Sequence, residues 1–311
     1  MLFHNDDAFA AMLLTLRLPM ESGITPLRPR EYHSLCKKAG RPGKLLGMSM
    51  ESVRSMLKLN EAESYRLTAL LGRTTPLSLL LDSCNNAAVE MVAISEDEYP
   101  ARLKNRLGME APPVLFCCGD LSLLRERGAA ALGVSARRDF ADDAGQFVRR
   151  ATESRMVVYT DGSDGLGSEL EDAAVRENGR VISFLADPLW DRVSRPGFGE
   201  MIAARRALAI STREPEAIFD RERAKERSLC LCALTDFSAL LCLERTEGPL
   251  WEAASTAHGS KNMSRLYVRA EDRLEGNMAL LAKGAMPFHD ICELPFSRPE
   301  IADGEQLSFL I

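Results

Sequence analysis

The chain has 311 residues, 46% hydrophobic and 27% charged, a composition that fits a folded globular protein and excludes disordered and fibrous classes. Its 39 Lys/Arg and 45 Asp/Glu give a net charge of −6, unevenly spread: residues 1–90 carry 11 Lys/Arg against 9 Asp/Glu, and residues 91–311 carry 28 against 36. A general polyanion binder has the opposite balance, because neutralising phosphates takes clustered cations, so any nucleic-acid role must rest on a local patch.

Residues 1–90 read as a small all-helical domain. The start, MLFHNDDAFAAMLLTLRL, lacks a basic n-region and a clear cleavage site. No apolar run approaches the roughly 18 residues of a membrane helix, so a cytoplasmic protein with no membrane contact is expected. Asp6/Asp7 are placed to cap a helix whose apolar positions are Phe9, Met12, Leu13 and Leu16. GKLLGMSMESVRSML is helix–turn–helix-like, Asn60 with Glu63 is a capping-box start for EAESYRLTALL, and Gly72 ends that helix. Thr75-Pro76 then opens LSLLLDSC. Modules of this kind contact DNA backbones or proteins, or pack as a helical cap on a larger domain.

From residue 91 the rhythm becomes strand, turn, helix. Candidate strands are 91–95, 113–119, 130–135, 156–160, 180–186, 208–211, 237–244 and 265–269, with amphipathic segments such as FADDAGQFVRRATES, PEAIFDRERAKERSLCLCA and GNMALLAKG between them. Nearly continuous apolar strands alternating with helices predict an α/β domain over 91–311, a Rossmann-like, mostly parallel sheet with helices on both faces. The eight cysteines form no C-x-x-C pair and sit mostly in apolar runs, so they read as buried reduced thiols; the four histidines make no metal motif. Neither a metal nor a cofactor is expected.

In such a sheet, ligands bind beyond the carboxyl ends of the strands, beside helix N-termini. In GVSARRDF, Arg137 and Arg138 follow a strand and precede a helix, where they can meet phosphates or pair with Asp139. TDGSDGLGSEL offers Gly162, Gly165 and Gly167 to an anion, but Asp161, Asp164, Glu169, Glu171 and Asp172 oppose one. In DRERAKERS, Arg223 and Arg227 share a helix face, and such a charge run usually marks a solvated surface. In RTEGPLWEAA, Gly248 leads into a helix, while Pro249 removes one amide.

Read together, these segments resemble the DprA/Smf DNA-processing family over about residues 91–290. EYPARLKNRLGMEAPPVLFCCGD is similar to its entry segment, with YP-x-x-L before P-P-V-L-F. VSARRD lines up with V-S-G-S-R-D, and VVYTDGSDGLG with a strand followed by S-G-G-A-x-G-V-D. AKERSLCLCALTD resembles A-M-x-R-N-K-x-I-Y-A-L-S-D, GPLWEAA resembles G-G-T-W-A-G-A, and EGNMALLAKGAMPF resembles G-N-x-x-L-x-x-x-G-A-x-P-F. The family also carries a small N-terminal helical domain, SAM-like or helix–hairpin–helix-like. Departures fall on the anion loops. Ala136 and Arg137 replace Gly and Ser, Thr160 and Asp161 replace Ser-Gly, and Gly167 replaces Asp. Ser228 and Leu229 replace Asn and a basic residue, and Pro249 and Leu250 replace Gly-Thr.

The resemblance implies a non-enzymatic protein that binds single-stranded DNA and helps to load a RecA-type recombinase during DNA uptake or processing, commonly as a homodimer. Its DNA or phosphate contacts fall on Arg137, Arg138, Gly162, Gly165, Lys225, Arg227, Gly248, Asn277 and Lys283. Trp251 reads as core more than as a stacking platform. A phosphoribohydrolase reading, by likeness to lysine-decarboxylase-like nucleotide-processing proteins, gives Glu252 as the acid acting on an N-glycosidic bond; a nucleotide-sensing or partner-binding subunit is a third alternative.

Overall fold

Short strands that are apolar on both faces can only be covered from both sides, and that requirement sets the architecture. The computed structural model describes residues 5–18, 23–135 and 139–296. Five helices come first: α1 (Asp6–Thr15), α2 (Pro29–Ala39), α3 (Met50–Leu57), α4 (Glu61–Leu71) and α5 (Thr74–Asn86). Then follow β1 (Glu90–Ala93), α6 (Ala101–Leu107), β2 (Val114–Gly119), β3 (Gly128–Val134), α7 (Ala141–Glu153), β4 (Val157–Thr160), α8 (Leu166–Arg176) and β5 (Val181–Leu185). The remainder is α9 (Leu189–Val193), α10 (Pro196–Ala203), β6 (Ala207–Ser211), α11 (Arg221–Leu234), β7 (Phe237–Leu243), α12 (Pro249–Gly259), β8 (Arg265–Arg269), α13 (Glu275–Ala282) and β9 (Met286–Phe288).

The strands form one sheet in the order β1-β2-β6-β5-β4-β3-β7-β8-β9. All pairs from β6 to β9 are parallel, whereas β1–β2 and β2–β6 are antiparallel. Helices α7, α8 and α10 pack together as one layer and α6, α11 and α12 as another. The chain runs outward from β3 through β4 and β5 to β6, then returns to the far side of β3 to begin β7. The topological switch point therefore lies between the carboxyl ends of β3 and β7, the crevice in which open α/β sheets bind ligands.

The eight expected strands end within two residues of the observed ones. Strand β9 was not expected, because Met286-Pro287-Phe288 is short and carries a proline. Helix α11 begins at Arg221, later than the amphipathic pattern suggested, because the Asp220 side chain accepts the Arg223 amide at 2.8 Å and starts the helix there.

Helix α1 also departs from the sequence reading. Asn5 is its N-cap, accepting the Ala8 amide at 2.9 Å, and Asp6 and Asp7 fill the first turn. Rather than one apolar face, Ala8 and Ala10 to Thr15 are all buried, and α1 packs against α2, α4, α5, β1 and β2. Its carboxyl end is closed by Arg73, a buried guanidinium that donates to the Leu13 and Leu16 carbonyls, groups a helix terminus otherwise leaves unpaired. The capping box of α4 forms as expected: Asn60 Oδ1 accepts the Glu63 amide at 2.8 Å, and the Glu63 carboxylate accepts the Asn60 amide.

Buried apolar side chains form a single cluster from Ala8 to Phe296. Six of the cysteines lie inside it as free thiols, Cys36 is half-buried, and Cys292 is exposed. Burial pushes the Cys84 and Cys232 thiols up to about 11. No helix among the described residues is long and apolar enough to cross a membrane.

Candidate nucleic-acid interface

Four turns reach the carboxyl-end side of the sheet. The first leaves β3, where Ser135 hydrogen-bonds Glu244 just beyond β7 across the switch point. Arg137 and Arg138, expected here to contact phosphate, lie outside the described residues. Asp139 accepts the Ala141 amide at 3.0 Å, a local turn that leads into α7.

The second turn follows β4. Gly162, with φ of 62°, has no room for a side chain: a Cβ would lie 2.8 Å from Leu185 Cδ2 and 3.3 Å from the Arg192 guanidinium. Arg192 donates to the Gly162 carbonyl and, at 2.6 Å, to Glu171, whose other oxygen accepts Ser183 Oγ at 2.6 Å. Arg192 and Glu171 are about 5% exposed, and desolvation raises the Glu171 carboxyl to about 7 against the pull of Arg192. Gly165, with φ of 90°, is the N-cap of α8.

Asp161 fills the place that these glycines would offer an anion. Its Oδ1 accepts the Ser163 amide at 3.0 Å and Ser163 Oγ at 2.8 Å. Its Oδ2 lies 2.8 Å from Arg227 Nη2, with both side chains less than a tenth exposed. The turn thus carries an internal carboxylate in contact with donors of the kind that bind phosphate oxygens.

The third feature, α11, corrects the expectation of a solvated charge run. Arg223 and Arg227 lie on the buried face. The Arg223 guanidinium donates to the Ala217 and Ile218 carbonyls, the chain just before its own helix. Burial lowers its affinity for the proton. Lys225 points the other way and pairs with Glu252 on α12 at 2.8 Å. This bond holds Glu252 below and Lys225 above their usual ranges, so Glu252 is a fully ionised, solvent-facing carboxylate, ill suited to protonating a leaving base.

At the fourth turn Gly248, with φ of 94° and no neighbour within 4 Å of a Cβ position, is the N-cap of α12. Trp251 is half-buried against the core, and Lys283 Nζ sits 4.7 Å from its ring centre. Asn277 is fully buried: its Nδ2 donates to the Arg269 carbonyl at 2.9 Å, and its Oδ1 has no hydrogen-bond partner. Beside it, a Cβ on Gly276 would fall 2.6 Å from the Arg245 carbonyl and 2.7 Å from that of Leu243. The Gly276-Asn277 pair therefore ties the start of α13 to β7 and β8, a packing role.

Of the expected contacts, the structure brings Arg227 to the glycine turn after β4, and Lys225 to α12 with Glu252. Lys283 sits against Trp251, and Asn277 is enclosed. Sequence reasoning did not pair Asp161 with Arg227, nor Arg192 with Glu171, nor Arg269 on β8 with Asp143 on α7, where two bonds of 2.7 Å form. Each partner is at least 21 residues away, and no local spacing signals the pairing. Among the described residues no group of three His, Cys, Asp or Glu side chains is placed to hold a metal.

A family model described as DNA recombination-mediator protein A matches residues 90–295, from the first strand to beyond the last. The chain belongs to that family. Membership assigns it to DNA processing. The fold has solved counterparts. DNA processing protein A (DprA) from Streptococcus pneumoniae has a TM-score of 0.56 at 17% identity, covering 86% of this chain and 96% of that one. DNA processing protein A from Helicobacter pylori has a TM-score of 0.54 at 18% identity, covering 66% and 93%, and its structure is described as giving insight into a unique single-stranded DNA binding mode. No curated protein sequence matches.

Proposed function

We propose that the protein binds single-stranded DNA through phosphate contacts on the carboxyl-end side of its sheet and acts without catalysis. Loading of a RecA-type recombinase during DNA uptake or processing goes with this reading. So do a homodimeric working unit, a cytoplasmic setting, and a division into a helical domain (1–90) and a Rossmann-like domain (91–311). The Helicobacter pylori relative's single-stranded DNA binding supports the choice of ligand.

The observation that carries the reading is the meeting of Arg227 with the turn after β4. A guanidinium from α11 reaches a glycine turn at the carboxyl end of a parallel strand, where a carboxylate and a backbone carbonyl engage it. A phosphate oxygen has the charge and acceptor geometry to take the carboxylate's place. Lys225 and Lys283, each with an exchangeable partner, extend the contacts along α11, α12 and α13.

Asp161→Asn tests this. Asn keeps an acceptor for the Ser163 amide but removes the negative charge. The dissociation constant for a labelled oligothymidine should fall about three- to tenfold, on the order of 1 kcal/mol, with the melting transition still cooperative. An unchanged or weaker affinity in a folded Asp161→Asn protein would remove Arg227 from the account.

A further inference from the structure

The cations of the carboxyl-end side are largely committed to internal partners, whereas a second set in the N-terminal helices is not. Residues 32–60 hold six Lys/Arg against one acid, Glu51, a net +5 in a chain whose remaining residues sum to −11. Arg41 is tied to Asp7 at 2.8 Å. The other five, Lys37, Lys38, Lys44, Arg54 and Lys58, are exposed, and none forms an ion pair with a described residue.

These five come from three consecutive elements, of which α2 packs on the other two: the last turn of α2, the 3-10 turn Pro42–Leu45, and the end of α3 with its C-cap. The platform is anchored. The Gly43 amide donates to Asp7 Oδ1 at 2.9 Å, and a Cβ on Gly43 would sit 2.8 Å from Asp6, so the 3-10 turn is pressed against the start of α1. Helix dipoles favour cations at carboxyl ends, which accounts for some of the positions. They do not account for a 29-residue stretch with a single acid in a chain that is otherwise acidic.

We propose that this face of the N-terminal helices is a second nucleic-acid contact that takes the phosphodiester backbone of DNA and supplies much of the salt-dependent affinity. The inference rests on the DNA-binding reading above and extends it to a surface outside residues 90–295. Backbone contact needs clustered, solvent-accessible cations free of internal carboxylates, and five such cations are present here.

The test uses the full chain with Lys37, Lys38, Lys44 and Arg54 all changed to Ala, beside a variant in which the three lysines become Arg. Alanine suits exposed helical positions, so the melting temperature should stay near that of the wild type. Labelled oligothymidine and a duplex of equal length are titrated from about 50 to 200 mM salt. The alanine variant should bind at least about tenfold more weakly at low salt, and its log–log salt slope for the single strand should be shallower by about two to three units, while the arginine variant retains wild-type behaviour. Loss on one DNA form only identifies that form as the partner. Wild-type affinity and slope on both forms in the alanine variant overturn this inference alone, whereas a wild-type protein that binds neither form overturns the DNA-binding reading and this inference with it.

Discussion

A side chain of only four heavy atoms decides the state of the candidate site. In the motif S-G-G-A-x-G-V-D, glycine stands at the position of Asp161 and the acid at that of Gly167; in this chain the two have changed places. The geometry makes the exchange reciprocal, because a Cβ on Gly167 would lie 2.6 Å from Asp161 Oδ1, so the glycine is what admits the carboxylate. Behind the same turn, Glu171 gives a pH-dependent signature. Its folded value of about 7 lies above the ordinary 4.5, so the folded state holds the proton more tightly. Its contribution is complete below about 4.5 and is lost as pH rises through about 7. Glu171→Gln cannot titrate, and the Ser183 hydroxyl can reverse to accept from the new amide. The stability of the wild type relative to the variant should therefore decline by on the order of 1–3 kcal/mol between pH 5 and 8, read from urea unfolding at each pH. A difference that is flat or rises with pH would show that the Arg192 pair, rather than burial, governs this carboxyl.

Strands and helices were legible where their causes are local. VLFCCG, VISFL and FSALLCL are apolar on both faces, and each is buried along nearly its whole length within a covered sheet. The capping box of α4 could be read from two residues three apart. What was hidden depends on partners far along the chain. The alternating charges of α11 look solvated, yet Arg223 and Arg227 are buried because carbonyls 5 and 6 residues back, and a carboxylate 66 residues back, receive them. The pattern for α1 gave one apolar face, and burial of Ala8 and of Ala10 to Thr15 on every side follows from the elements packed around them. Asn277 was expected among the DNA or phosphate contacts, and the structure encloses it, with Gly276 beside it, where α13 meets β7 and β8. Gly276→Ala would gain up to about 1 kcal/mol from helix propensity alone, but its methyl would meet the Arg245 and Leu243 carbonyls. A net loss of about 1–3 kcal/mol in thermal or urea unfolding is expected; a gain would mean that α13 does not press on β7.

Across the whole molecule the charge count argued against a general polyanion binder, and the structure gives the reason in detail. Arg227, Arg223, Lys225 and Arg269 on the sheet's carboxyl-end side face carboxylates or carbonyls, so on the proposed reading a DNA phosphate would have to displace internal partners to reach them. An exchange of that kind is strongly weakened by salt. The most direct measurement is an equilibrium titration of labelled oligothymidine at about 50 and 200 mM salt, with wild type and Arg138→Ala/Lys225→Ala side by side. Lys225 and its partner Glu252 are both well exposed, so the Lys225 substitution opens no buried charge. Wild type should bind at micromolar or tighter levels at about 50 mM and about a hundred- to a thousandfold more weakly at 200 mM, with the double variant weaker throughout. No binding by the wild type at 50 mM salt, or a double variant indistinguishable from it, contradicts the account.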